Sequence, residues 1–233
     1  MVKKIAVIPA RGGSKRIPEK NITLFQGKAM IAWTIEAALQ SKCFERVLVS
    51  TDDEKIAEVA MSYGAEVPFL RLQHADDYST VSEATVTALI QASEYWSEEY
   101  NVIVQLMANC PLRSATDIRD AVSKFSNCNR DFQISCFKYG WMNPWWAVEL
   151  DSDGIPNRLF PETVNKRSQD LQDLYCPTGA IWIAKTHKLL KHGTFYGPGH
   201  CFEPIGWQSA VDVDDYDDLN FANAIYEQSK IKK

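Results

Sequence analysis

No stretch of this 233-residue chain stays apolar for long. Nothing approaches the ~20 consecutive residues that a membrane helix needs. The apolar opening at residues 5–10 ends at Arg11, too soon for the core of a secretory leader. Positive charge is not in excess either: 25 Lys and Arg face 30 Asp and Glu, a formal net charge of −5. That balance excludes a broad basic face for duplex nucleic acid or an anionic membrane, so any polyanion bound must be small and held locally. The 6 cysteines contain no CxxC pair and no Cys/His cluster, which removes the usual zinc motifs. A disulfide framework is unnecessary at this length. The 4 histidines have no paired spacing, and no Ser–His–Asp or Cys–His arrangement is discernible. Internal repeats and low-complexity linkers are missing too. The expectation from these absences is a cytoplasmic protein with reduced thiols.

What is present suits one α/β domain spanning 1–233: 45% hydrophobic and 24% charged residues, enough for a real core. Short apolar runs alternate with longer amphipathic ones, the signature of βαβ units and a parallel sheet. Strands are predicted at 4–8, 46–50, 66–70, 101–106 and 132–137, with later ones near 180–184 and 210–213. Their Val and Ile content, with little alternation, suits burial on both faces. Helices are predicted at 28–41, 53–63, 82–100, 115–126 and 215–230. The fold class expected is α/β, a mostly parallel Rossmann-like sheet with helices on both faces.

Residues 138–174 break this rhythm: they lack a helical period and carry Trp141, Trp145, Trp146 and Phe160. Within them DSDG, at 151–154, is a turn signal between two extended runs and predicts a hairpin. So many aromatics on a protruding arm suit a subunit contact, and therefore a homodimer; the alternative is a hairpin folded over its own core.

The segment IPARGGSKRIPEKN, residues 8–21, follows the first predicted strand, so it lies at the carboxyl edge of the sheet, where open α/β folds bind ligands. Gly12 and Gly13 let the backbone bend sharply, and successive N–H groups in such a loop form an anion-binding concavity. Ser14 adds a hydroxyl, while Arg11, Lys15 and Lys20 add full positive charge. These parts fit a triphosphate. Both the Walker pattern GxxxxGK[ST] and the dinucleotide pattern GxGxxG are absent.

Near the other end, Asp212 and Asp214 alternate on the predicted strand at 210–213 and its edge, so their carboxylates project to the same side. Two carboxylates close together repel unless a cation lies between them, and Mg²⁺ takes one or two carboxylates plus phosphate oxygens and waters. Asp215, Asp217 and Asp218 read as the start of the last helix. Asp52 and Asp53 read as a helix cap.

PARGGSKRIPEKN, at 9–21, resembles the first signature of the N-acylneuraminate (sialic acid) cytidylyltransferases, within the wider sugar nucleotidyltransferases. The likeness continues in LVSTDDEKIAEVAMSYGAEVPFLR (48–71), CPLR (110–113), RSQDLQDLYCPTGAIWIA (167–184) and VDVDDYDDL (211–219), and so covers nearly the whole chain. The resemblance implies a sugar nucleotidyltransferase fold and transfer of CMP from CTP to a sugar hydroxyl, with pyrophosphate released. It assigns Mg²⁺ to Asp212 and Asp214, and charge stabilisation on the phosphates to Arg11 and Lys20. Arg71, with the loop at Ala10 and Arg11, would contact the base, and Asn21 the ribose or phosphates. Arg71 at a strand end could equally form a surface ion pair. Asp77, Ser79 and Thr80 match the family's Asp-plus-hydroxyl stretch approximately. The sugar carboxylate would be met by Arg167, with Gln169 and Tyr175 on its side chains. The resemblance further implies that the arm reaches a partner's active site.

The chain departs from the family's central LQPTSPLR, reading LMANCPLR at 106–113. Met107 stands in place of a glutamine, and Asn109 is the candidate to replace part of that polar contact. NGAIY becomes TGAIW, with Thr178 and Trp182. These changes fall in the implied sugar pocket, so a legionaminic or pseudaminic derivative stands beside N-acetylneuraminate as acceptor. Two other readings stay open: a nucleotidyltransferase of the same architecture using an eight-carbon keto sugar or another acceptor, and a non-catalytic nucleotide sensor. The acidic pair weighs against the sensor, which has no need to organise a metal.

Overall fold

Strand β1 (Lys4–Pro9) is buried on both sides, and its alternation decides the layering of the molecule. Ala6 and Ile8 point into one apolar cluster, Ile5 and Val7 into another. The computed structural model describes residues 2–74 and 79–231. After β1 come the two-residue strands β2 (Leu24–Phe25) and β3 (Lys28–Ala29), then α1 (Met30–Ser41), β4 (Arg46–Ser50) and α2 (Glu54–Ser62). The middle of the chain forms α3 (Val81–Trp96), β5 (Val102–Gln105), α4 (Ala115–Asn127) and β6 (Phe132–Lys138). Strands β7 (Val148–Leu150) and β8 (Pro156–Arg158) follow. The chain ends in β9 (Tyr175–Lys185), α5 (Thr186–His192), β10 (Cys201–Pro204) and α6 (Tyr216–Ile231).

The central sheet has six strands in the order β10-β6-β9-β5-β1-β4. β1 pairs in parallel with β4 and β5, and β10 with β6, while β9 runs antiparallel to both β5 and β6. Five strands therefore share one direction and β9 opposes them. Ile31, Ile35, Ile56, Ile118 and Phe125 bring α1, α2 and α4 onto one face, and Ala88, Leu89 and Leu189 bring α3 and α5 onto the other. The expected mostly parallel sheet with helices on both faces is what the chain builds. A third cluster, Ile17, Phe25, Met30, Val213 and Ala222, packs the loop after β1 against α6 and the segment preceding it.

Two predicted strands are not strands. Residue Glu66 makes a single bridge to Leu48, and Pro68, which has no N–H to donate, stops the ladder there. Residues 210–213 are irregular; Val213 N–H donates to Asn109 O at 2.9 Å instead of joining a ladder. Helix α3 stops at Trp96, where Ser97 turns left-handed at φ 52°, short of the predicted end at residue 100. β10 and α5 had no clear sequence signal, being 4 and 7 residues long.

The hairpin predicted around DSDG is β7–β8, closed by Asp151, whose carboxylate accepts from Asp153 N at 2.9 Å and Ile155 N at 2.8 Å. All residues of both strands are exposed. Trp141 is 85% exposed, and Met142, Trp146, Leu150 and Ile155 are exposed with it. Trp145 behaves differently: it packs edge-on against Phe160 at 5.0 Å and donates to Gln172 O at 2.8 Å, so it serves the arm's own structure.

Candidate active site

The loop leaving β1 is shaped by acids on the neighbouring strand exit. Gly12 N–H donates to Asp52 Oδ1 at 3.0 Å, and a Cβ on Gly12 would lie 2.6 Å from Asp53 Oδ2. Only glycine fits there without moving Asp53, which is committed as the cap of α2 through Lys55 N and Ile56 N. Gly13 has nothing within 4 Å of the same position. Ser14 N–H is spent on Gly12 O at 2.9 Å. The concavity expected from successive backbone N–H groups is thus partly filled by the protein's own acceptors, Asp52 and Gly12 O. The buried Asn21 pins the loop from below, donating to Arg11 O at 2.9 Å.

This loop forms one wall of a cleft of about 470 Å³ at the carboxyl edge of the sheet. Arg11, Ser14, Lys15, Lys20, Asn21, Arg71, Thr80, Asn109 and Asp214 all line it, so most of the residues expected to bind a nucleotide are brought together. Ala10, Gly12 and Gly13 supply the backbone of the same loop. Thr80 caps α3, accepting from Glu83 N at 3.2 Å and donating to Glu83 Oε2 at 2.9 Å, which sets that helix's N-terminus at the cleft. Asp77 lies outside the described residues.

Arg71 is only 2% exposed, which removes the surface ion pair as an explanation. It donates to Ser50 O at 3.1 Å and Ser50 Oγ at 3.2 Å, and its Nε has no hydrogen-bond partner. Burial lowers its pKa, with the charge of Asp52 opposing and that of Arg11 adding to the drop. A guanidinium in the cleft wall, anchored on Ser50, is suited to meet a polar ligand.

The acidic pair is held together although its backbone is not a strand; Asp214 lines the cleft and Asp212 does not. Asp214 accepts from Lys20 Nζ at 2.8 Å and from Arg16 at 2.6 Å. Asp212 lies deeper and accepts from Asn109 Nδ2, which is also 3.1 Å from Val213 O and 3.3 Å from Asp214 Oδ1. Burial, seconded by the charge of Asp214, pushes the Asp212 carboxyl up to about 6. Burial acts the same way on Asp214, but the hydrogen bonds and charges of Lys20 and Arg16 outweigh it and hold that carboxyl low. Among the described residues no cluster of three or more His, Cys, Asp or Glu gathers. Two crowded carboxylates at a cationic cleft fit a small hard cation such as Mg²⁺, which completes its shell with phosphate and water oxygens. Asp215 and Asp218 instead cap the start of α6 and the turn before it, as expected for that end of the motif.

Two basic residues not assigned a role from sequence prove central. Arg16 was visible as one more cation of the opening run, but its partner was not. Arg113, the last residue of CPLR, is buried and donates to Ala180 O at 2.5 Å, Thr34 Oγ1 at 2.7 Å and Met107 O at 3.3 Å. It ties α1, the loop after β5 and β9 together behind the cleft. Met107 reaches the cleft by lying over Gly179, where a Cβ would come within 2.7 Å of its Cγ.

Of the expected sugar residues, Asn109 lines the cleft and the other three lie elsewhere on the chain. Arg167 is exposed and pairs with Asp170 at 2.8 Å, Tyr175 is exposed at the start of β9, and Gln169 lines a separate polar cavity of about 400 Å³ at the base of the arm. None of the three lines the main cleft.

Residues 5–181 match the family model described as cytidylyltransferase. The chain is 34% identical over 229 residues to a pseudaminic acid cytidylyltransferase of Campylobacter jejuni, covering 97% of each. It is 38% identical over 200 residues to a CMP-N,N'-diacetyllegionaminic acid synthase of Legionella pneumophila, covering 82% of each. In fold it is similar to a CMP:2-keto-3-deoxy-manno-octonic acid synthetase complexed with CTP, with TM-score 0.70 at 17% identity, covering 97% of this chain and 99% of the other.

Proposed function

Because this chain belongs to the cytidylyltransferase family, we propose that it transfers CMP from CTP to the anomeric hydroxyl of a sialic-acid-like nine-carbon 2-keto acid sugar, releasing pyrophosphate. The observation that carries this reading is one cleft lined by Arg11, Lys15, Lys20 and Arg71 together with Asp214, behind which Asp212 sits within reach of the same Asn109 amide. A triphosphate needs such cations, and a reacting α-phosphate needs a metal-organising acid pair beside them.

In this reading Arg71 and the backbone at Ala10 and Arg11 select the base, with Thr80 and Asn21 bordering the nucleoside. Lys20, Arg11, Lys15 and Ser14 neutralise and orient the phosphates. The sugar hydroxyl gives up its proton to solvent and its oxygen bonds to the α-phosphorus, as the bond from that phosphorus to the bridging oxygen breaks and pyrophosphate leaves. Little covalent work is asked of the protein; positioning and charge neutralisation carry the rate. Asp212 and Asp214 would hold Mg²⁺, which when bound supplies Lewis-acid polarisation of the α-phosphate and neutralises developing charge.

Relatives bearing pseudaminic and legionaminic names, together with the apolar Met107 in the cleft, support an acceptor of that group. Arg167, Gln169 and Tyr175, remote from their own cleft, fit this reading as residues that a homodimer delivers to the partner's sugar through the arm at 138–174. A CTP-consuming reaction suits the cytoplasm. Pyrophosphate release with CTP, measured against pseudaminic, N,N'-diacetyllegionaminic, N-acetylneuraminic and eight-carbon 2-keto acid sugars, tests the reading. Turnover with a nine-carbon sugar is expected; turnover confined to the eight-carbon acid would shift the substrate class, and none at all with CTP bound would leave a sensor.

A further inference from the structure

We infer that Asn109 is a positioning residue for the acidic pair, holding Asp212 and Asp214 together before a divalent cation arrives and so setting how tightly that cation binds. The inference rests on the cytidylyltransferase reading above. It concerns a residue that stands where the resemblance has a threonine.

Asn109 is 3% exposed, on the loop that follows β5. Its Nδ2 faces three acceptors at once: Asp212 Oδ1, Val213 O at 3.1 Å and Asp214 Oδ1 at 3.3 Å. An amide nitrogen has two hydrogens, so these acceptors share them. The backbone adds a further tie, Val213 N–H to Asn109 O at 2.9 Å. Residues 210–213 have no ladder to fix them; this side chain and that backbone bond hold Asp212 and Val213, while Asp214 is held also by Lys20, Arg16 and its own N–H to Asp218 Oδ2.

The charges around the pair are lopsided. Lys20 and Arg16 both bind Asp214, whereas the hydrogen bond to Asp212 comes from the uncharged Asn109. An uncharged donor lowers the repulsion between two carboxylates without competing with a cation as a third basic residue would. With a cation held by the carboxylates, Nδ2 would still have Val213 O as an acceptor and so would keep hold of the segment that carries both acids. Ordering is then met before binding rather than during it. Partners of this kind, hydrogen-bonded to metal-ligating carboxylates, typically change metal affinity by about 10–100-fold when removed.

The test titrates the full-length chain with Mn²⁺, followed by electron paramagnetic resonance, in the presence of CTP and without acceptor sugar. Asn109→Ala is expected to weaken Mn²⁺ binding by about 10–100-fold. Asn109→Thr, which restores one donor, should recover part of that loss, and its thermal midpoint shows that the fold is kept. Saturating metal should return the KM for CTP of both variants to near the wild-type value. Unchanged Mn²⁺ affinity in Asn109→Ala, with only the KM for sugar raised, would overturn the inference and make Asn109 a sugar contact. Equal losses in both variants, with thermal midpoints lowered alike with and without metal, would overturn it in favour of a general packing role. A wild-type chain that binds no Mn²⁺ with CTP present would overturn the underlying reading, and this inference with it.

Discussion

Lys20 Nζ lies 2.8 Å from Asp214 Oδ1, across 194 residues of chain. One belongs to the first loop and the other to the last irregular segment, and their meeting closes the cleft between β1 and α6. Lys20 is the less exposed of the two cations on Asp214, so it is the one fixed in place. A fixed cation beside a triphosphate contributes on the order of 3 kcal/mol to the transition state. Lys20→Ala should therefore lower kcat by roughly 100-fold with an unchanged circular dichroism spectrum. Near-normal turnover at saturating CTP would remove Lys20 from the chemistry.

Asp212→Asn and Asp214→Asn should each lower turnover by at least about tenfold and raise the Mg²⁺ concentration needed for half-maximal rate. Asn keeps the shape but not the charge. Asp217→Asn, at an exposed position in the first turn of α6, should cost only a few tenths of a kcal/mol of stability and leave the rate alone. Equal and mild effects from all three would reduce the acidic motif to a helix start.

The two adjacent glycines should behave differently. Gly12→Ala pushes a methyl group into Asp53 and so disturbs the cap of α2, at a cost of about 1 kcal/mol. Its urea midpoint should fall and its KM for CTP rise, because the loop carrying Arg11 and Ser14 shifts. Gly13→Ala meets nothing within 4 Å and should keep the wild-type midpoint. Matching midpoints for the two variants would contradict the close approach.

The exposed aromatics of the arm should bury themselves in a two-fold dimer, the commonest closed symmetry. Trp141 and Trp146 are the residues to charge; Trp145 already has its partner in Phe160. Trp141→Glu with Trp146→Glu should give monomers by sedimentation that bind CTP but turn over poorly. A wild-type chain that sediments as a monomer at micromolar concentration would refute the dimer, and an active monomeric variant the coupling.

Asp131 gives a pH signature independent of the cleft. Hydrogen bonds from Lys188 and Lys185, at 2.8 and 2.9 Å, pull its carboxyl down to about 2. Its unfolded value is ~3.9. A depressed folded value means that its stabilisation is present in full above pH ~4 and is lost as pH falls towards about 2. The difference in urea midpoint between wild type and Asp131→Asn should be constant from pH 7 down to pH ~4 and shrink below it. A difference that stays constant to pH ~3 would dismiss the ion pairs as its source.

Local chemistry was legible in the sequence. The Val- and Ile-rich runs became β1, β4, β5 and β6, and DSDG became the β7–β8 turn, because side-chain period and turn residues act over a few neighbours. The opening loop was legible for the same reason: two glycines and four cations sit within a few residues of one another. Short elements were not. β10 holds its place at the sheet edge through its pairing with β6, and α5, at 7 residues, is too short to form without packing Leu189 into the core. Nor could the sequence decide whether Arg71 was a surface ion pair, since burial depends on Ser50 and the strands beside it. The acid pair shows the division most clearly. Alternation along 210–213 predicted a strand and two carboxylates on one side of it. The carboxylates do converge, but the strand is absent, and Asn109, Lys20 and Arg16 hold them instead. Those partners lie 103, 194 and 198 residues away, where only the folded sheet brings donors within hydrogen-bonding reach.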